Sequence, residues 1–291
     1  MALRHRPPHL HTADACTAAD ARTAADAPTP ARAGVRTPRG RAGRSVVALG
    51  GALLLAVAAT GCGSADAAED TAPERRDFAF RGPALTVVAE NTDVELVPAD
   101  VEKIEVTRWF KGWTAVGGDV ERYWRMEGGE LRIGVDCDGL ISTCDARHVI
   151  KVPRAAAVTV KGDNGDLTAK NFGTPLTLAS DNGTVRVTDS RGRLDLSSDN
   201  GGVSATGTRA GRVSARSDNG DVRLAFTRVP DRVETWTDNG GTDVELPRAR
   251  YRVQTGTDNG DTDVSVPRSD RSGHTVTARS DNGDITVRTG N

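Results

Sequence analysis

The tripeptide Asp-Asn-Gly occurs seven times in the second half of this 291-residue chain, at Asp163, Asp181, Asp199, Asp218, Asp238, Asp258 and Asp281. The steps between copies are 18, 18, 19, 20, 20 and 23 residues. A period this short and regular implies a repeat architecture, in which each unit buries its apolar face only by stacking on its neighbours. The recurring corners are Asp163-Asn164-Gly165, Asp181-Asn182-Gly183, Asp199-Asn200-Gly201, Asp218-Asn219-Gly220, Asp238-Asn239-Gly240, Asp258-Asn259-Gly260 and Asp281-Asn282-Gly283.

Within one unit, Val185 and Val187 alternate with Arg186, and after a turn at residues 190–192, Leu194 and Leu196 alternate with Asp195. That period of two puts the apolar residues on one face of a strand and the charged ones on the other. The same alternation recurs in the pairs Val203/Ala205, Val213/Ala215, Val222/Leu224, Val244/Leu246, Val264/Val266, Val276/Ala278 and Ile285/Val287, so each repeat is two strands and two corners. Asn-Gly is also a strong type I′ hairpin signal, which makes an antiparallel β-meander the alternative arrangement. The residue before each corner favours stacking: Ser180, Ser198, Ser217, Thr237, Thr257 and Ser280 repeat too. A meander gains nothing from turns of identical chemistry, whereas coils about 4.8 Å apart set equivalent hydroxyls and asparagines over one another, where they can hydrogen-bond. The expected fold is all-β, a right-handed parallel β-solenoid of two-stranded coils. A corner glycine such as Gly220 is expected to need φ > 0, which costs a residue with a Cβ roughly 1–2 kcal/mol.

The unit Ser217-Asp218-Asn219-Gly220-Asp221-Val222-Arg223-Leu224 and its counterpart Ser280-Asp281-Asn282-Gly283-Asp284-Ile285-Thr286-Val287 resemble the bacterial putative-adhesin family of extracytoplasmic β-solenoid domains. The resemblance spans residues 85–290, most strongly from Lys161. It implies a surface scaffold and no chemistry, because its motif is a structural repeat.

Only 4% of the residues are aromatic and 32 are glycine, so a thin core of Val, Leu and Ala is expected. Residues 1–34 have no apolar periodicity and read as a disordered leader. With no Met between Met1 and Met126, Val35 reads as an alternative start, which would leave that leader untranslated. Residues 35–61 have the form of a signal peptide, with Arg36, Arg39, Arg41 and Arg44 ahead of a 15-residue apolar stretch from Val46 to Thr60. That stretch is shorter than the roughly 20 residues a membrane span needs. It runs into Ala59-Thr60-Gly61-Cys62, which resembles the lipobox of bacterial lipoproteins and makes Cys62 the candidate lipid acceptor. Export by this route anchors the protein to the outer face of the bacterial cell membrane, with the membrane itself as a partner. Residues 62–77 read as a flexible tether, 78–160 as a β region capping the solenoid and 161–291 as the seven repeats.

After Gly61 there are 30 basic and 37 acidic residues, a net near −7 that argues against nucleic acid and against a polybasic grip on lipid. Cys137 and Cys144 remain as an even pair, and in an oxidising compartment they read as a disulfide. A zinc site is not expected, because His148 and His274 are the only histidines after Gly61.

Three groups could carry function. Aspartates repeated about 4.8 Å apart would repel by roughly 0.9 kcal/mol a pair in water, which calcium would relieve. The preferred reading is that each carboxylate accepts a hydrogen bond from a backbone N–H two residues on, so no metal ligand is assigned. Stacked carboxylates at glycosidase spacing give the rival function, a carbohydrate-active β-helix enzyme on extracellular polysaccharide. Equivalent aspartates do not supply two carboxyls of distinct environment, so no catalytic residue is assigned and the protein is expected not to be an enzyme. Trp109, Phe110, Trp113, Tyr123 and Trp124 could bind sugar or protein, but are expected to plug the N-terminal end of the stack. No cofactor is expected. The role read from the sequence is adhesion or envelope interaction, with an envelope protein or polysaccharide as the candidate partner.

Overall fold

The inward residues of successive repeats stand in register across parallel strands. Leu167, Val185, Val203, Val222, Thr242 and Ile285 form one column, and Val158, Leu176, Leu194, Val213, Val233 and Val276 form another facing it. The computed structural model describes residues 72–114, 117–139 and 142–290, all within the second of two units (residues 1–59 and 60–291). The leader, the signal segment and Cys62 lie outside the described residues.

The strands ahead of the repeats are β1 (Glu74–Ala79), β2 (Ala84–Glu90), β3 (Asp93–Ala99), β4 (Lys103–Thr114), β5 (Val120–Glu127), β6 (Glu130–Cys137), β7 (Ser142–Pro153) and β8 (Ala157–Asn164). The tether expected over residues 62–77 therefore ends at Glu74, where β1 pairs antiparallel with β4. The repeats supply β9 (Leu167–Lys170), β10 (Leu176–Asn182), β11 (Val185–Thr188), β12 (Leu194–Ser198), β13 (Val203–Thr208), β14 (Arg212–Asn219) and β15 (Val222–Phe226). They continue with β16 (Arg232–Asn239), β17 (Thr242–Leu246), β18 (Arg252–Asn259), β19 (Thr262–Val264), β20 (Thr275–Asn282) and β21 (Ile285–Thr289).

Two sheets face each other across the core. One runs β1-β4-β7-β3-β9-β11-β13-β15-β17-β21-β19 and the other β18-β20-β16-β14-β12-β10-β8-β2-β6-β5. The chain passes between sheets at every corner, and pairing within the repeats is parallel, as the solenoid requires and the meander forbids. Val185, Val187, Leu194 and Leu196 are buried, while Arg186 is exposed.

At both ends the stack departs from chain order. The coil β2/β3 lies between β6/β7 and β8/β9, and the last coil, β20/β21, is inserted between β16/β17 and β18/β19. Because β18 and β20 pair in a register that aligns Val253 with Val276 and Asn259 with Asn282, either could follow β16. Burial explains the choice. The coil taken inside carries Val276, Ala278, Ile285 and Val287, all at most 1% exposed, whereas β18 and β19 offer Val253, Thr255, Thr262 and Val264. The more apolar coil gains most from two neighbours, and the threonine-rich one serves as the outer cap. The long 23-residue final step is the sequence trace of this return path: the connector 265–274 carries the chain from the outermost coil back inward.

The positive φ expected of the corner glycines is found at Gly165 (128°), Gly240 (158°), Gly260 (150°) and Gly283 (153°), but not at Gly220. What excludes a side chain at Gly220 is the neighbouring coil: a Cβ there would stand 2.5 Å from the carbonyl oxygen of Gly201. At Gly183 the same atom would stand 2.0 Å from the Gly165 carbonyl oxygen. Gly220→Ala is therefore expected to lower stability in urea melts by about 1–3 kcal/mol through overpacking against backbone, with Arg223→Ala on the exposed face within about 0.5 kcal/mol of the parent. Equal melting of the two variants would contradict the close-approach account.

Candidate functional site

Every Asp-Asn-Gly corner falls on one edge of the stack, and there the asparagines form a continuous ladder. Asn182 Nδ2 donates to Asn164 Oδ1 (3.1 Å), Asn200 to Asn182 (3.1 Å), Asn219 to Asn200 (3.1 Å) and Asn239 to Asn219 (3.1 Å). Asn282 continues it to Asn239 (3.2 Å) and Asn259 to Asn282 (3.0 Å), following the stack and not the chain. At the other end Asn164 donates to Asn91 Oδ1 (2.8 Å), a member the sequence reading missed because Glu90-Asn91-Thr92 lacks the glycine. The signal available was an Asn between two alternating runs; it sits at φ 52°, which Asn tolerates. Asn91 Nδ2 in turn donates to the Val135 carbonyl (3.2 Å), ending the ladder on the coil β6/β7.

That last coil turns through a disulfide where the others turn through an asparagine. Cys137 and Cys144 are bonded, with Cα atoms 6.5 Å apart. Closing so short a loop contributes about 2–3 kcal/mol at most.

Inside the corner the repeated hydroxyls do not bond to one another. They donate to glycine carbonyls: Ser198 Oγ to Gly183 (2.8 Å), Ser217 Oγ to Gly201 (2.8 Å), Thr257 Oγ1 to Gly283 (3.0 Å) and Thr237 Oγ1 to Gly240 (2.9 Å). These side chains face the core, where an unpartnered carbonyl would cost about 1–3 kcal/mol. A repeated Ser or Thr meets that need.

The aspartates divide into two sets. Those that open the tripeptide point outward; Asp218 accepts from Arg216 Nε (2.9 Å) and Asp238 from Trp236 Nε1 (2.7 Å). None of their side chains has the expected hydrogen bond to a backbone N–H two residues on among the described residues. That kind of contact belongs to the residue after glycine, and it reaches the next coil. The Thr184 N–H donates to Asp166 (2.8 Å), Gly241 N–H to Asp221 (2.9 Å) and Asp261 N–H to Asp284 (2.8 Å), and Asp166 N–H donates to Asp93 (2.7 Å). Burial raises the Asp163 carboxyl above its ordinary value, and Glu90 and Asp181 add to the rise, so like-charge repulsion does act along this edge. Among the described residues no group of three or more His, Cys, Asp or Glu is placed to hold a metal ion.

Of the aromatic cluster expected to plug the N-terminal end, Trp124 packs against the core, while Trp113 does not. Strands β4, β5 and β1 end the two sheets, and Trp124 packs against the core beneath Arg108, whose guanidinium carbon stands 4.1 Å above the ring centroid. Arg108 is 4% exposed; Nη2 donates to Glu74, which also accepts from Arg122 (3.1 Å). Nε and Nη1 have no acceptor, so the indole face takes part of the buried charge. The Arg108 hydrogen bond holds the Glu74 carboxyl below its ordinary range. Trp109 lies beside Arg147, Phe110 beside Arg122, and Tyr123 donates to Glu90, while Trp113 is 56% exposed. Sequence reasoning placed the rings but not the Arg108–Glu74 pair that seats them.

Next to Trp124 lies His148, fully buried. Thr92 Oγ1 is 2.8 Å from its Nδ1 and donates its own proton to the Ala146 carbonyl (2.9 Å), so the ring is the donor in the Thr92 contact. Nε2 has no partner. Burial, with Arg108 adding to it, lowers the His148 pKa from 6.5 to about 3.

The Toastrack DUF4097 family matches residues 138–288, more than half of the chain, and the chain belongs to that family. Among solved structures it is similar to a "putative cell adhesion protein" from Clostridium sporogenes, at 10% identity over 75% of this chain and 100% of that one, with a TM-score of 0.33. It is also similar to a "putative adhesin" from Bacteroides fragilis, at 13% identity over 75% of this chain and 97% of that one, with a TM-score of 0.49. No curated protein matches the chain.

His148 yields a pH signature. Its folded pKa is depressed, so below about 6.5 the unfolded chain binds the proton and the native state does not. Stability is expected to be full above that pH and to fall as the pH drops toward about 3. The raised carboxyls of Asp93 and Asp163 act in the opposite sense, so the measurement is a comparison. Between pH 7 and pH 5, denaturant midpoints should drop for the parent relative to those of His148→Gln. Parallel midpoints would show that His148 does not set this dependence.

Proposed function

We propose that this Toastrack protein is a non-enzymatic cell-surface lipoprotein, acylated at Cys62, whose solenoid mediates adhesion or contact with the bacterial envelope. The observation that carries the reading is the repetition itself. Coil after coil presents equivalent outward positions at one spacing, and such an array engages a repetitive partner at many points, so that weak single contacts add up. A catalytic centre would instead need one pair of carboxyls set apart from the rest. The bond between Cys137 and Cys144 supports an oxidising, extracytoplasmic setting. The order of segments supports anchoring, since the lipobox-like Ala59-Thr60-Gly61-Cys62 is separated by 11 residues from Glu74, where the first described strand begins.

The experiment is cell fractionation of Cys62→Ser with intact-mass analysis. The parent should partition with the membrane and carry a mass above that of the bare chain, because two or more acyl chains anchor stably. The variant should appear in the medium or accumulate unprocessed. Unchanged partitioning and mass would sink the lipid-anchor reading.

A further inference from the structure

The near-even charge of the chain hides a strong division. Five connectors on the edge opposite the Asp-Asn-Gly corners (171–175, 189–193, 209–211, 227–231 and 247–251) carry six arginines against two aspartates. The five corners facing away from them (163–166, 181–184, 199–202, 218–221 and 238–241) carry seven aspartates and no Lys or Arg. The two-corner topology sorts the charges, one sign to each edge, where an even spread would leave both edges weakly acidic.

The basic edge is also shaped. A groove of about 480 Å³ crosses several coils there, with Arg154, Lys170, Arg191 and Arg209 around it and Val97 and Pro98 forming an apolar wall. Arg191 and Arg209 form no ion pair among the described residues. The Arg191 guanidinium lies over Gly173, where a Cβ would stand 3.1 Å from Nε and Nη2. Two of the four cations are engaged, Lys170 by Glu95 (3.8 Å), which Arg147 also holds (2.7 Å), and Arg154 by Asp100 (2.7 Å), so the charge open to a ligand is that of Arg191 and Arg209, with Asp189 as the other carboxylate of the groove. Around the same edge, on the face of the other sheet, Arg193, Arg212 and Arg232 line a second cleft with Glu234, which pairs with Arg232 (2.6 Å), while Arg193 lies 3.8 Å from Asp195.

We propose that this edge binds an extended acidic polysaccharide with one carboxylate or phosphate per sugar. Three features select that chemistry. The cations recur along the stack at the coil spacing of about 4.8 Å, close to the length of a sugar ring in an extended chain, so successive acidic groups meet successive coils. Val97 and Pro98 offer apolar surface to the ring carbons. The site is concave, which admits a single polymer chain and disfavours a flat bilayer. The inference deepens the adhesion reading and rests on it for the setting in which such a glycan is met; binding by the isolated protein does not depend on Cys62, so the two can fail separately.

The test is fluorescence anisotropy of labelled polygalacturonate with the full chain between about 50 and 200 mM salt. Binding should weaken steeply with salt. The variant Lys170→Ser/Arg191→Ser/Arg209→Ser should bind about tenfold more weakly or worse at the same melting temperature, as loss of three phosphate-type contacts implies. Asp181→Asn/Asp199→Asn on the opposite edge should bind as the parent does. Should the triple variant melt lower, Arg191→Glu alone, at an exposed position, gives the same reading. Unaltered affinity in these arginine variants would overturn the proposal. So would binding of neutral dextran as tight as that of polygalacturonate, or equal affinity for anionic vesicles or duplex DNA.

Discussion

The whole architecture hangs on how closely two backbones approach at one corner. Parallel strands in neighbouring coils are held at the sheet spacing of about 4.8 Å, and the corner between them must close to the same distance. Glycine makes this possible at Gly183, Gly201, Gly220 and Gly240, where a Cβ would strike the carbonyl of the coil beneath. Once the backbones are that near, the adjoining asparagines can hydrogen-bond from coil to coil, and the buried hydroxyls of Ser198 and Ser217 can satisfy the glycine carbonyls. Glycine, asparagine and hydroxyl are thus three answers to a single geometric demand. Their repetition in the sequence records that demand, coil after coil.

This is why the repeats were legible and the ends were not. Alternation in Val185-Arg186-Val187 and Leu194-Asp195-Leu196 fixes the buried face, and identical residues before each turn distinguish stacked corners from hairpins. The expected φ at Gly220 was misplaced because a close approach between coils and a left-handed turn both call for glycine, and one chain segment does not tell them apart. The aspartate that matters to the neighbouring coil is Asp221 and not Asp218, since the contact spans two repeats. Coil order at the termini depends on the relative burial of Ile285 and Thr262, a competition between segments that either register would allow. Among the candidate site residues, the aromatic cap could be located from composition. Arg108 and His148 could not, because their burial is decided by strands far apart in the chain.

The cap and the repeats solve the same problem by different means. In the repeats, backbone polar groups are satisfied by identical neighbours, and no residue is special. At the N-terminal end no further coil stands among the described residues, and the mouth is closed by Trp124, by the Arg108–Glu74 pair and by a disulfide in the coil that lacks asparagine. The C-terminal end is closed more simply, by a short strand, β19, and a coil rich in threonine. Short polar edges of this kind resist pairing with a second chain.

The inverted order of the terminal coils bears on how the protein meets mechanical force. In a stack laid down in chain order, tension on the C-terminus would peel the outermost coil first and then unzip the rest one coil at a time. Here tension on the C-terminus acts on β20 and β21, each of which is hydrogen-bonded to strands on both sides. Extraction must shear two parallel interfaces at once, with β18 and β19 held over them as a clasp. Tension from the N-terminus can strip β1, but it next meets β2 and β3, which are likewise flanked by a coil on each side. The fold is fastened against pulling from either end of its chain.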